Sequence, residues 1–178
     1  MSDIHIAPPR GPWQLLQVYQ LYRHAFPRSE RKPFAIIRRM ARQGRSDLWR
    51  CEADGRFAGL AATINSPSLI LLDYLAIHPR LRDQGYGSAA MQALLRHYGE
   101  LPLFVEIEAV EGDQADEKLR RRQFYQRCGL SPLGVSALVF GVPMELLGRG
   151  CTLTFEDYRR FYHDHYSSWA AEHILPRD

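Results

Sequence analysis

Between Leu69 and Tyr98 the chain changes register twice, and that change limits what it can fold into. Leu69 to Ile77 is a nearly continuous apolar run broken only by Asp73, His78-Pro79 interrupts it, and a glycine-bearing stretch leads into a helical repeat. An apolar run of this kind reads as a central strand covered on both faces. Past the loop, Met91, Leu94, Leu95 and Tyr98 recur at the spacing of one helix face. The junction is therefore strand, loop, helix. A helix start exposes unpaired backbone N–H groups and the positive end of the helix dipole, so it can hold a phosphate without a metal. Gly85 and Gly87 lack a Cβ, which permits a tight turn and close approach of phosphate oxygens to the backbone. Arg82 can add a charge-assisted contact.

The rest of the chain reads as elements around this junction. From Pro12, the residues Leu15, Val18, Tyr19 and Tyr22 mark a first helix. A second starts at Pro33, carries Phe34, Ile36, Ile37 and Met40, and stops near Gly44. The linker from Phe26 to Lys32 is polar and expected to be exposed. Asp47 to Ala53 and Arg56 to Ile64 read as strands joined by Asp54-Gly55, a pair that accepts the positive backbone angles of a tight hairpin turn. Leu103 to Val110 reads as a strand, which makes a strand-helix-strand unit with a right-handed crossover. Asp116 to Cys128 reads as a charged helix ending at Gly129. Strands follow at Leu133 to Val142 and Cys151 to Phe155, and a last helix near Thr154 carries Tyr158, Phe161, Tyr162 and His165 on one face.

Composition narrows the class. At 178 residues one domain is expected, and the apolar fraction of 46% is too high for a disordered chain. The net charge of +3 comes from basic residues scattered among acids, which gives no support to a nucleic-acid partner. Cys51, Cys128 and Cys151 are odd in number and far apart, so neither a disulfide framework nor a cysteine-paired metal site is expected. No run approaches the ~20 apolar residues of a membrane span. A cytoplasmic protein with no membrane association is the expectation.

Three tenants compete for the glycine loop. A nucleoside-triphosphate loop needs Gly-Lys-Ser/Thr, and Gly87 is followed by Ser88 without a lysine. A dinucleotide fingerprint fits Gly85-Tyr86-Gly87-Ser88-Ala89-Ala90, with Glu106 or Glu108 about 20 residues on. Its usual place is directly after a strand in an α/β chain, whereas here several residues intervene and a hairpin precedes the strand. The third reading is a resemblance. Arg82-Asp83-Gln84-Gly85-Tyr86-Gly87 resembles the pyrophosphate-binding motif R/Q-x-x-G-x-G/A of the GNAT acetyltransferases. In order around it stand the Ile77-His78-Pro79 strand end, an amphipathic helix, and Phe124-Tyr125-Gln126-Arg127-Cys128-Gly129-Leu130. This last segment is similar to the family's F-Y-x-x-x-G-F, with Leu130 in place of the phenylalanine.

The resemblance implies one GNAT domain over residues 1–178: an α/β fold with a mixed, mostly antiparallel sheet of six to seven strands flanked by helices. It implies acetyl-CoA as co-substrate, no metal, and direct acetyl transfer to a small-molecule or peptide amine; a homodimer stays open. Leu75, Ala76 and Ile77 would then pair with the pantetheine arm and offer a backbone N–H to the thioester oxygen. Arg82, Asp83, Gln84, Gly85, Tyr86, Gly87 and Ser88 would hold the pyrophosphate. Tyr125 would protonate the leaving thiolate, and its alternative is a ring packed in the core. Asp73, Glu106 and Glu108 are the candidate bases, an acid in an apolar strand being one whose proton affinity invites change. Phe104, Glu106 and Glu108 share a strand face, bordering either an opening in the sheet or solvent. Glu30 and the run Arg120-Arg121-Arg122, the latter within reach of a 3′-phosphate, read as solvated charge first. His163 and His165 are two apart and make a poor metal pair. Two further readings are a non-catalytic CoA-binding module and an NAD(P)-dependent enzyme.

Overall fold

The computed structural model describes residues 3–177 and resolves into two compact units. One holds the residues up to Asn65 together with Leu72–Gly99, and the other holds Ser66–Leu71 together with the residues from Glu100 onward.

The first unit contains β1 (His5–Ala7), α1 (Gly11–Ala25), α2 (Phe34–Arg42), β2 (Leu48–Ala53), β3 (Arg56–Asn65), most of β4 (Ile70–Ile77) and α3 (Tyr86–Tyr98). Its strands lie in the order β1-β2-β3-β4. Asp54 and Gly55 adopt φ of 49° and 73°, so the β2–β3 hairpin closes through the left-handed turn that Asp-Gly favours. Pairing is antiparallel, with Trp49 opposite Ala61 and a bulge at Cys51/Glu52. The short strand β1 extends this edge, with Ile6 opposite Cys51. Three residues are too few to show a period, and none was expected there.

Two apolar clusters hold this unit together. Val18, Leu21 and Tyr22 of α1 and Ile37 of α2 bury themselves against Leu48, Leu60, Ala62 and Tyr74. Ala90 and Ala93 of α3 meet Ile4, Cys51, Ala53 and Ala58, with Leu75, Ile77, Leu81 and Tyr86 packed alongside. Gly59 shows how tight the sheet is: a Cβ there would stand 2.5 Å from the Ala76 carbonyl oxygen.

The linker between α1 and α2 departs from expectation. Pro27 to Glu30 are exposed, but Lys32 is drawn in. Its ammonium donates to both Asp73 oxygens at 2.6 and 2.7 Å. Its N–H donates to the Tyr74 hydroxyl at 3.0 Å, and its carbonyl accepts from the Tyr22 hydroxyl at 2.8 Å. The Tyr74 hydroxyl in turn donates to the Glu30 carbonyl at 2.8 Å.

The second unit contains β5 (Leu103–Glu108), α4 (Ala115–Arg127), β6 (Ser131–Val139), β7 (Val142–Arg149), α5 (Phe155–His165), α6 (Ser168–Glu172) and β8 (Ile174–Pro176). Its strands lie in the order β5-β7-β6-β8, and neighbours are antiparallel, with Val105 opposite Leu147 and Leu138 opposite Leu175. Two expectations fail here. The run Leu133 to Val142 is not one strand, because Phe140 and Gly141 take φ of 50° and 82° and turn the chain back into β7. Cys151 to Phe155 is not a strand either; Thr154 instead caps α5, exchanging hydrogen bonds with Asp157 in a capping box. The described residues thus hold eight strands where six or seven were expected, within the expected mixed, mostly antiparallel α/β class. No helix among them is long and apolar enough to cross a membrane.

Because the Gly59 contact is with backbone, the strand must shift to admit a methyl group. Gly59→Ala is expected to lose about 1–3 kcal/mol of stability, read as a lower urea midpoint at unchanged slope.

Candidate active site

The loop that ends β4 is shaped by its own short-range bonds. His78 is fixed at the strand end by its N–H, which donates to the Ala58 carbonyl at 2.8 Å. Pro79–Leu81 form one tight helical turn. The Arg82 Nε donates back to the Ile77 carbonyl at 3.3 Å, and the Gln84 amide donates to the Arg80 carbonyl at 2.9 Å. Asp83 and Gly85 both take positive φ, 59° and 83°, and the chain enters α3 directly after Gly85.

That entry leaves a bare helix start. The first intrahelical bond runs from the Ala89 N–H to the Gly85 carbonyl at 3.0 Å, so the amides of Tyr86, Gly87 and Ser88 precede the ladder. Gly85 has no side chain to cap them, and no side-chain cap bond is made. Three N–H groups and a helix dipole therefore lie at one helix start, a seat suited to an anionic oxygen cluster, with the exposed Arg82 in the loop that leads to it. Tyr86 and Leu81, like Leu75 and Ile77, pack against the cluster that holds the α3 alanines, which joins the helix start to the strand end. The residues expected to contact a pyrophosphate, Arg82 to Ser88, are thereby brought together with Leu75, Ala76 and Ile77 in one unit.

Asp73, one of the three candidate bases, lies on the same strand with its carboxylate already gripped by Lys32. Burial pushes the neighbouring Tyr74 phenol far above the ordinary tyrosine range, and Asp73 adds to that shift; burial also pushes Tyr22 up to about 12. Both phenols stay neutral donors in this cluster.

The remaining candidates belong to the second unit. Tyr125 is half-buried on α4 with its ring edge-on to Phe124 at 5.0 Å, and desolvation pushes its phenol up to about 12, so it holds its proton at neutral pH. The carbonyl of Tyr125 accepts from the N–H groups of Cys128 and Leu130, both at 3.1 Å, which closes the helix at Gly129 with φ of 93°. Leu130 is only 2% exposed, so the leucine at the family's phenylalanine position still fills core. On β5, Phe104 packs edge-on against Tyr158 and Phe161, and Glu106 accepts from the Tyr158 hydroxyl at 2.7 Å. On that strand face Phe104 is buried under α5, and Glu106 is half-buried beside Tyr158. Glu108 meets Lys118 at 3.0 Å. Arg122 faces Glu145 at 3.6 Å, which leaves Arg120 and Arg121 as the exposed pair of the run. No group of three or more His, Cys, Asp or Glu able to hold a metal occurs among the described residues.

A family model described as the acetyltransferase (GNAT) family matches residues 15–130, about two thirds of the chain. The chain belongs to the GNAT acetyltransferase family. No curated protein sequence matches this GNAT chain. Among solved structures, one described as a GNAT-family acetyltransferase from Bacteroides thetaiotaomicron superposes with a TM-score of 0.72 at 21% identity, covering 89% of this chain and 94% of its own. An aminoglycoside 6′-N-acetyltransferase complexed with coenzyme A gives 0.66 at 13%, covering 82% and 95%. A Bacillus subtilis acetyltransferase in complex with CoA gives 0.61 at 14%, covering 86% and 100%. At these identities the likeness is one of fold.

Sequence reasoning missed two partners in this GNAT chain, Lys32 and Tyr158. A lone acid in a buried strand needs a partner, so Asp73 announced that one exists; nothing local named a lysine 41 residues away. The pair is well shielded, with side chains 16% and 9% exposed. Asp73→Asn strands the ammonium and is expected to cost about 3 kcal/mol in urea denaturation, of which Lys32→Met in the same chain recovers most.

Proposed function

We propose that this protein transfers an acetyl group from acetyl-CoA to the nitrogen of a primary amine, directly, within a ternary complex. The observation that carries the reading is the uncapped start of α3 at the family's pyrophosphate motif, whose three leading backbone amides, with Arg82 in the same loop, support a diphosphate there. The coenzyme A bound to the two neighbours of the same fold supports the same donor here. The match of fold over 89% of the chain supports treating residues 1–178 as one acyltransferase domain. We also infer a cytoplasmic location without nucleic-acid or membrane partners, from the scattered charge and from three cysteines that are odd in number and far apart in the sequence.

The chemistry divides among the residues as follows. Leu75 to Ile77 pair with the pantetheine arm and present an N–H to the thioester oxygen. The amine nitrogen bonds to the acetyl carbon, the carbon–sulfur bond breaks, one amine proton leaves to a base, and Tyr125 donates its phenolic proton to the departing thiolate. Tyr125 has a proton to give at neutral pH, and the family's tyrosine position, rather than its raised pKa, supports the role. The base is one of Asp73, Glu106 and Glu108: Asp73 and Glu108 face lysine ammonium groups, and Glu106 faces the Tyr158 hydroxyl. A dinucleotide enzyme is the rival reading, and a CoA-binding module without turnover is another.

Melting curves separate these. A ligand selective for the native state at 100 times its Kd stabilises by about 2.7 kcal/mol, so acetyl-CoA and CoA should raise Tm by several degrees while NAD(P) leaves it unchanged. The opposite pattern removes the donor assignment. Tyr125→Phe should lower kcat in a thiol-release assay by about 100-fold with the acetyl-CoA shift retained; an unchanged kcat returns Tyr125 to a packing role.

A further inference from the structure

A groove of about 510 Å³ opens at the C-terminal end of α1, built wholly from the first unit. Its walls are Tyr19, Tyr22 and Phe34, with Arg23, Arg28, Arg31 and Lys32 around them, and no acidic residue lines it. Lys32 is neutralised by Asp73. None of the three arginines has a carboxylate at ion-pairing distance among the described residues. Two of the cations are held in place: Arg31 donates through Nη1 to the Arg23 carbonyl at 3.3 Å, and the Arg23 guanidinium sits 5.7 Å from the Tyr19 ring centre. The Arg31 Nε is buried without an acceptor.

Three like charges gathered around an aromatic floor repel one another, and an anion relieves that repulsion. Guanidinium groups match the planar, bidentate geometry of carboxylate and phosphate. The volume suits a small molecule, and the aromatic walls suit an apolar body beside the charge. Position ties the groove to the chemistry. Lys32 and Glu30 are bonded to Asp73 and Tyr74, the two residues that directly precede the Leu75–Ile77 stretch on β4.

We propose that this groove selects the acceptor by an anionic group: the substrate is a small amine bearing a carboxylate or phosphate next to an apolar body. The assignment rests on the N-acetyltransfer reading above. It disfavours polycationic amines, which would meet the three arginines that line the groove. Arg28 and Arg31 are then specificity-determining residues.

The test uses the full chain with acetyl-CoA and matched amines: phenylalanine against phenylalaninamide, phosphoethanolamine against ethanolamine, and spermidine as polycation. A second arm titrates phenylalanine and phosphoethanolamine by calorimetry without acetyl-CoA. The anionic member of a pair is expected to have a kcat/KM about tenfold or more higher, the size of one charge-assisted bond. Whichever pair shows the larger gap tells carboxylate from phosphate. Arg28→Ala and Arg31→Ala should raise KM for the anionic member and close the gap, whereas Arg39→Ala, an exposed arginine outside the groove, should leave it open. Turnover with equal or greater kcat/KM for neutral amines or spermidine overturns the proposal and leaves the transferase reading intact. Anion binding with no turnover on any amine overturns the transferase reading and leaves an anion site. Preference for an acidic peptide over every free amine overturns the small-molecule assignment, and absence of both binding and preference overturns the site itself.

Discussion

Three backbone amides without partners, at Tyr86, Gly87 and Ser88, set the terms for the rest of this molecule. A helix start normally borrows a side-chain oxygen to satisfy such groups, and each loses free energy if buried unsatisfied. Here Gly85 offers none. Its positive φ, close to the left-handed region that costs other residues about 1–2 kcal/mol, brings the chain into α3 with the amides turned outward together. Such a constellation is stable only where water or an anion takes the bonds, so the same geometry that denies the helix a cap leaves three donors suited to an anion.

The seat must also stay aligned with β4 if a donor is to lie along the strand and place its thioester. That alignment comes from small residues. Ala58, Ala90 and Ala93 let α3 approach the strands closely, and Gly59 lets the Ala76 backbone approach β3. Larger side chains at these positions would move the helix start relative to the strand end by the width of a methyl group. At the other end of β4, Tyr74, Asp73 and Lys32 tie the α1–α2 linker to the strand through hydrogen bonds of 2.6–3.0 Å. The loop before α3 and the α1–α2 linker are thus referenced to one strand.

Much of this was readable because it is local. Asp54-Gly55 specifies its own turn, the apolar run before His78 specifies a buried strand, and the spacing of Met91, Leu94 and Leu95 specifies the buried face of α3. The loop's anion-binding capacity followed from glycine and helix-dipole physics, and the family likeness narrowed the anion to coenzyme A. What was not readable is non-local or too short. β1 and β8 have three residues each and take their order from pairing with β2 and β6. The β6–β7 turn was hidden because Phe140, an aromatic residue that rarely adopts positive φ, sits at it. Lys32 reaches Asp73 across 41 positions and Tyr158 reaches Glu106 across 52, pairings that only the folded chain creates. Each changed the reading of a candidate base: an acid seen alone in sequence proved to be an acid with a partner.

The central claim, that the start of α3 is where the donor's diphosphate rests, is tested most directly by amide NMR on the labelled chain. Titration with CoA should shift the Tyr86, Gly87 and Ser88 amide resonances first and farthest, with a smaller response to NADP at the same concentration. Shifts that leave these three amides in place while moving resonances elsewhere, or an equal response to NADP, would contradict the account.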